Sequence, residues 1–191
     1  ALWGIDPLSM PPTSWTIGID EPDVMARRAH EAAEFEILKI KVGTADDRAM
    51  IESVRRVTDR PLRIDANEGW ADRETAIREI EWLAGQNVEF IEQPLPATRF
   101  EDLVWLKERS PLPLIADESV CRLDDLDGLE SAFHGVNVKL SKCGGLRAAK
   151  QLFHQARQRG LSVMIGCMVE SSCALAAAAQ IAPLADYVDL D

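Results

Sequence analysis

Short runs of β-branched and aliphatic residues alternate along the whole chain with longer stretches whose apolar positions recur every three or four residues. The short runs fall at residues 16–19, 37–41, 62–65, 88–92, 112–117, 136–140, 161–165 and 187–191. They are strand-length, and most stop at a charge, a glycine or a proline, as buried strands do. The stretches between them predict helices, the clearest over 22–33, 45–57, 72–83 and 146–159, with Gly160 ending the last. Helical patterning is expected between all eight strands. Eight strands in 191 residues repeat about every 24 residues, the length of one compact βα unit. Such units pair in parallel, and eight of them close most naturally into a TIM-like α/β barrel. Because no helix pattern follows residue 191, the expected form is (β/α)7β. No Gly-x-Gly-x-x-Gly follows the first strand, which argues against an open dinucleotide-binding sheet.

Composition narrows the class without changing the fold. Hydrophobic residues make up 47% and charged residues 28%, as in an ordinary globular protein, and the length suits one domain. The net charge of -11 is wrong for a phosphate backbone or an anionic lipid surface. No apolar run approaches the roughly 18–20 residues of a membrane span, and the Ala-rich stretch 173–179 fits a buried helix. No basic start precedes an apolar signal core. The four cysteines form no Cys-x-x-Cys pair and are expected to be reduced, which points to the cytoplasm. One domain is expected over 1–191, with 1–15 a linker-like lead-in. The abrupt start and the absent last helix suggest a barrel drawn from a longer polypeptide.

The chemistry gathers where the strands stop. The second run ends in Lys39 and Lys41, the third in Asp65, the fourth in Glu92, the fifth in Asp117, the sixth in Lys139, and the eighth carries Asp189 and Asp191. In a barrel these ends share the C-terminal rim, where active sites of this fold lie. Asp65, Glu92 and Asp117 come from adjacent strands, and like charges brought together need either raised pKa values or a cation. Three oxygen ligands without Cys or His suit Mg2+ or Mn2+. Taken singly, each acid could equally be a solvated loop residue. Lys39 and Lys41 share a strand face, and Lys139, four strands on, faces them across the mouth. A lysine beside a metal has its pKa drawn down toward a usable base. Lys142, past the strand end, is assigned a loop role. Asp189 and Asp191, also on one strand face, stand too late in the strand order to join the three acids and need another cation.

Lys39-Ile40-Lys41, Asp65-Ala66-Asn67, Glu92-Gln93-Pro94, Ala116-Asp117-Glu118-Ser119 and Lys139-Leu140-Ser141-Lys142-Cys143-Gly144-Gly145 occur in the order found in the enolase superfamily. The chain resembles that superfamily, specifically its muconate-lactonizing-enzyme-like subgroup, over about residues 16–191. The resemblance implies that Asp65, Glu92 and Asp117 ligate Mg2+, with Mn2+ as an alternative, and that Asn67 and Glu118 stand behind these ligands. It further implies that Lys41 and Lys139 are the acid/base pair and that Lys39 lowers the pKa of Lys41. The run 165–172 and Asp189-Leu190-Asp191 are similar to those of dipeptide epimerases of the L-Ala-D/L-Glu type. In that type the two aspartates hold the substrate ammonium, and Cys167 and Met168 line the substrate side. The N-terminal capping domain of the superfamily is expected to be absent from this chain.

The implied activity is Mg2+-dependent inversion of the α-carbon of a dipeptide's C-terminal residue, by two-lysine proton transfer through an enediolate. The same-subgroup alternatives are o-succinylbenzoate synthase, muconate cycloisomerase and N-acylamino-acid racemase, whose substrates offer no ammonium to Asp189 and Asp191. Expected partners are a small dipeptide and further copies of the chain, with no nucleic acid and no membrane. His30 and His154 are expected at the surface and His134 at most behind the site. Trp70 is expected to pack, and Cys143 and Cys167 lack a partner motif for nucleophilic chemistry.

Overall fold

In the second run Leu38 and Ile40 alternate with Lys39 and Lys41, and in a closed parallel sheet that alternation sends one set outward and the other in. The computed structural model describes residues 4–191, so the first three residues of the expected lead-in lie outside it. The strands are β1 (Ser14–Ile17), β2 (Ile37–Lys41), β3 (Leu62–Asp65), β4 (Val88–Glu92), β5 (Leu114–Ala116), β6 (Gly135–Lys139), β7 (Ser162–Gly166) and β8 (Tyr187–Asp189). All neighbours pair in parallel in the order β1 to β8. A parallel bridge between Thr13 and Val188 closes the ring, supported by the Leu190 amide donating to Thr13 Oγ1 at 2.9 Å. The expected barrel is the observed one.

Helices α1 (Pro22–Glu31), α2 (Asp47–Arg55), α3 (Arg73–Leu83), α4 (Phe100–Lys107), α6 (Leu146–Gln158) and α7 (Ser172–Ala179) cover the outside, and α5 (Leu140–Cys143) is a single turn. Their starts follow local chemistry. Pro22 opens α1, and the Asp72 carboxylate accepts from the Thr75 amide at 2.6 Å to cap α3. The outward strand residues, among them Leu38, Ile40, Ile64, Ile91, Val138 and Ile165, join the helices in one buried core. Inside the ring lies a separate apolar cluster of Phe90, Ile115 and Met164, with Tyr187 against it. The fully buried Arg63 guanidinium lies 5.5 and 5.3 Å from the Phe90 and Tyr187 rings and donates to Glu89 and the Val188 carbonyl. The lower barrel is thus filled, and the upper barrel is left to charged strand ends.

Four elements differ from the sequence pattern. No α-helix joins β5 to β6; two 3-10 turns at Leu123–Leu126 and Leu129–Ser131 do. The segment holds Asp124, Asp125, Asp127 and Gly128, and Asp125 takes the Cys121 and Arg122 amides on its side chain, competing with helix formation. β5 is shortened by Pro111 and Pro113 before it, since proline donates nothing to a ladder. β1 begins two residues earlier than expected, and β8 stops at Asp189, leaving Asp191 beyond the strand. Among the described residues no helix is long and apolar enough to cross a membrane.

The loops after β2 and β3 stand back to back. Asp47 accepts from the amides of Gly43 (3.0 Å) and Thr44 (2.8 Å) and from Trp70 Nε1 (3.1 Å), so buried Trp70 braces these loops, as its packing role anticipated. A Cβ on Gly69 would lie 2.8 Å from both the Ala66 oxygen and Gly43 Cα, where only backbone could give way. Gly69→Ala should therefore destabilise the protein by about 1–3 kcal/mol. Urea unfolding measures this; an unchanged midpoint would contradict so tight a contact.

Candidate active site

The strand ends converge on one cavity of about 480 Å3 at the C-terminal rim. Lys39, Lys41, Asp65, Asn67, Asp117, Glu118, Lys139, Cys167, Met168, Asp189 and Asp191 all line it. Of the expected site residues only Glu92 does not, because it lies fully buried beneath. Register does part of this work: Lys41 pairs with Asp65, and Asp65 with Glu92, on neighbouring strands.

At the floor, Lys39 Nζ stands 3.1 Å from Asp65 Oδ2, 2.9 Å from Glu92 Oε2 and 2.8 Å from Asp189 Oδ2. Burial alone would pull this lysine down, but Glu92, Asp189 and Asp65 outweigh it and hold its pKa well above the ordinary lysine value. Its close contacts are with these three carboxylates. Asp189 also accepts from Ser14 Oγ at 2.5 Å. Ring closure carries β8 round to β1 and β2, so the cation beside Asp189 is the Lys39 ammonium. Asp191 is exposed and accepts from the Thr16 amide at 2.6 Å.

Lys41 and Lys139 flank the mouth. Lys41 Nζ donates to Asn67 Oδ1 at 2.5 Å and to Asp65 Oδ2 at 3.3 Å. Lys139 Nζ donates to Asp117 Oδ2 at 2.7 Å. Burial lowers the Lys139 pKa less than Asp117 and Glu92 raise it, so the group lies above its ordinary value. Lys142, assigned to the loop from sequence, reaches the other carboxylate oxygen of Asp117 at 2.6 Å and its carbonyl at 3.0 Å. The sequence pattern assigns Gln93 no role, but its buried side chain accepts from the Asp117 and Ser119 amides and donates to Ser119 Oγ and the Leu95 carbonyl. It pins the turn that carries Asp117. Asn137, another residue not singled out, donates to Glu92 Oε1 at 2.7 Å; its place two residues before Lys139 on β6 was the available signal.

The carboxylates can be tested against a divalent cation. Among the described residues no three His, Cys, Asp or Glu side chains stand close enough to hold an ion, since lysine ammonium groups occupy the spaces between the acids. The donor set nevertheless fits a hard cation. Glu92 Oε2 is buried without a hydrogen-bond donor, its 2.9 Å contact with Lys39 being ionic and poorly aligned. Burial, with Asp65 and Asp117 nearby, pushes the Glu92 carboxyl up to about 8 despite Lys39. Burial would raise Asp65 too, but Lys39 and Lys41 hold it below the usual carboxylate value. Lys39 and Lys41 together compensate Asp65, while Glu92 Oε2 keeps no donor of its own.

The remaining residues fall where their chemistry allows. Burial and the nearby Asp191 and Asp189 raise the Cys167 thiol, which keeps it a poor nucleophile. Met168 Sδ lies 3.8 Å from Lys139 Nζ, and Val169 is fully exposed beside it. His30 and His154 are exposed, and His134 Nδ1 accepts from the Leu114 amide at the opposite end of the strands.

The enolase C-terminal domain-like family matches residues 24–188. An L-Ala-D/L-Glu epimerase of Bacteroides thetaiotaomicron is 47% identical over 191 residues, covering 100% of this chain and 50% of the relative. A dipeptide epimerase from Cytophaga hutchinsonii, solved with Mg and D-Ala-L-Val, superposes with a TM-score of 0.92 at 33% identity, covering 100% of this chain and 54% of that one. The Enterococcus faecalis dipeptide epimerase with Mg and L-Leu-L-Tyr gives 0.91 at 34% identity, covering 98% and 55%. The chain spans about half the length of the curated relatives it matches. On sequence and fold together, the chain belongs to the enolase C-terminal domain-like family.

Proposed function

We propose that this chain carries the chemistry of a dipeptide epimerase, inverting the α-carbon of the C-terminal residue by moving a proton between Lys41 and Lys139. The observation that carries this reading is that the two lysines come from β2 and β6, opposite in an eight-stranded ring, and open on one cavity. One lysine, as the free amine, takes the α-proton from one face. The other, as the ammonium, gives a proton to the opposite face. The pair ends with its protonation exchanged, and the reverse reaction swaps the roles. Lys139, whose ammonium Asp117 and Glu92 favour, is suited to the donor role in the resting arrangement.

Asp65, Glu92 and Asp117 would hold Mg2+. When bound, the ion would supply positive charge to the substrate carboxylate, where negative charge grows as the proton leaves. Asp191, exposed at the rim, offers its carboxylate to the substrate ammonium, with Asp189 below it already shared with Lys39. Ammonium recognition is what separates a dipeptide from the acylated or ammonium-free substrates of related lyases and racemases.

The direct test is α-proton exchange in D2O with a panel of dipeptides. Chelation should abolish exchange and Mg2+ should restore it, whereas full exchange in excess chelator would exclude the acid cluster as a metal site. Lys139→Ala should lose epimerisation yet keep exchange from one isomer, and Lys41→Ala should keep at most the other. Loss from both isomers in both variants would remove the two-face division of labour.

Asp191→Asn should raise KM for a free dipeptide about tenfold to a hundredfold, the worth of one hydrogen bond between charged groups. An N-acetylated dipeptide should be a poor substrate of the unmodified protein. Equal kcat/KM for the free and acetylated forms would turn the assignment toward an N-acylamino-acid racemase or a lyase.

A further inference from the structure

The turn after β3 presents Asn67 to three groups of the mouth at once. Its backbone has a φ of 43°, in the left-handed region that asparagine and glycine enter most readily. Its own amide donates to Asp65 Oδ1 at 3.1 Å. The side chain is used at both ends: Oδ1 accepts from Lys41 Nζ at 2.5 Å, and Nδ2 donates to Glu118 Oε1 at 3.2 Å. Glu118 accepts only a donor when ionised, so this contact selects which way the amide points and leaves its oxygen for Lys41.

Lys41 needs such a hold more than Lys139 does. The Lys41 side chain is 38% exposed, against 7% for Lys139, and its contact with Asp65 is the longer of its two at 3.3 Å. A four-carbon stem with that freedom has several rotamers open to it. Lys139 is buried against Asp117 and requires no equivalent of Asn67.

We propose that Asn67 is a positioning residue for Lys41: its amide oxygen sets where the ammonium stands, and Glu118 sets the orientation of the amide. The proposal rests on the two-lysine reading and adds an asymmetry to it. Removing the Asn67 side chain affects the half of the reaction that Lys41 serves and spares the half served by Lys139.

Asn67→Gly tests this, because glycine keeps the left-handed backbone while deleting the amide. In D2O, exchange from the isomer that Lys41→Ala fails to exchange should fall about tenfold or more in kcat, with KM held within about threefold. Exchange from the other isomer should stay near that of the unmodified protein. An equal fall for both isomers, or no fall for either, overturns the proposal. A second measurement does not need turnover: acylation footprinting by mass spectrometry should label Lys41 several-fold faster in Asn67→Gly, with Lys142 unchanged. Unchanged labelling of Lys41 likewise overturns it. If the unmodified protein exchanges no dipeptide, the epimerase reading fails on its own, and the footprint alone decides the role of Asn67.

Discussion

One ammonium group, Lys39 Nζ, holds three buried carboxylates at the top of the barrel interior, and the architecture of the mouth depends on it. A carboxylate taken out of water costs several kcal/mol unless a cation compensates it. Asp65, Glu92 and Asp189 are each nearly or fully inaccessible, so without Lys39 they would have to protonate, separate or unfold the rim. Lys39, with Lys41 on Asp65, leaves Glu92 Oε2 without a hydrogen-bond donor, and burial favours the protonated Glu92 carboxyl. That unpartnered oxygen, beside Asp65 and Asp117, is the physical basis for expecting a divalent cation here. Lys139 and Lys142 repeat the device on Asp117, one on each oxygen.

The barrel divides its interior to make this possible. Phe90, Ile115, Met164 and Tyr187 fill the lower part with Arg63 among them, which supports the strands without any demand on the mouth. The next inward positions along the same strands are Asp65, Glu92, Asp117 and Asp189, so a two-residue step changes a filler into a functional group. Gln93 and Asp47 hold the connecting turns from outside the ring. Functional side chains thus stand on strand ends and are steadied by loops whose amides are already satisfied.

Much of this was legible in the sequence because the signals are local. β2, β3 and β4 lie at the bounds their patterning predicts, since each is an apolar run closed by a charged residue. The acids and lysines at the rim followed from the same beat. What escaped depends on curvature or on competition within a loop. Asp189 meets Lys39 only because β8 closes on β1, and a linear order of strands gives no hint of that contact. Lys142 lies past its strand in the sequence, yet the turn Leu140–Cys143 brings it to Asp117. The expected helix between β5 and β6 lost to the Asp125 side chain, which captures the local amides of Cys121 and Arg122.

Replacing Lys39 tests the central claim most directly. Lys39→Met keeps the stem but removes the charge, so the unfolding free energy at neutral pH without divalent ions should fall by about 3–5 kcal/mol. Millimolar Mg2+ should return part of that loss by neutralising the same carboxylates. A variant as stable as the unmodified protein, indifferent to Mg2+, would contradict the dependence of the mouth on this one ammonium.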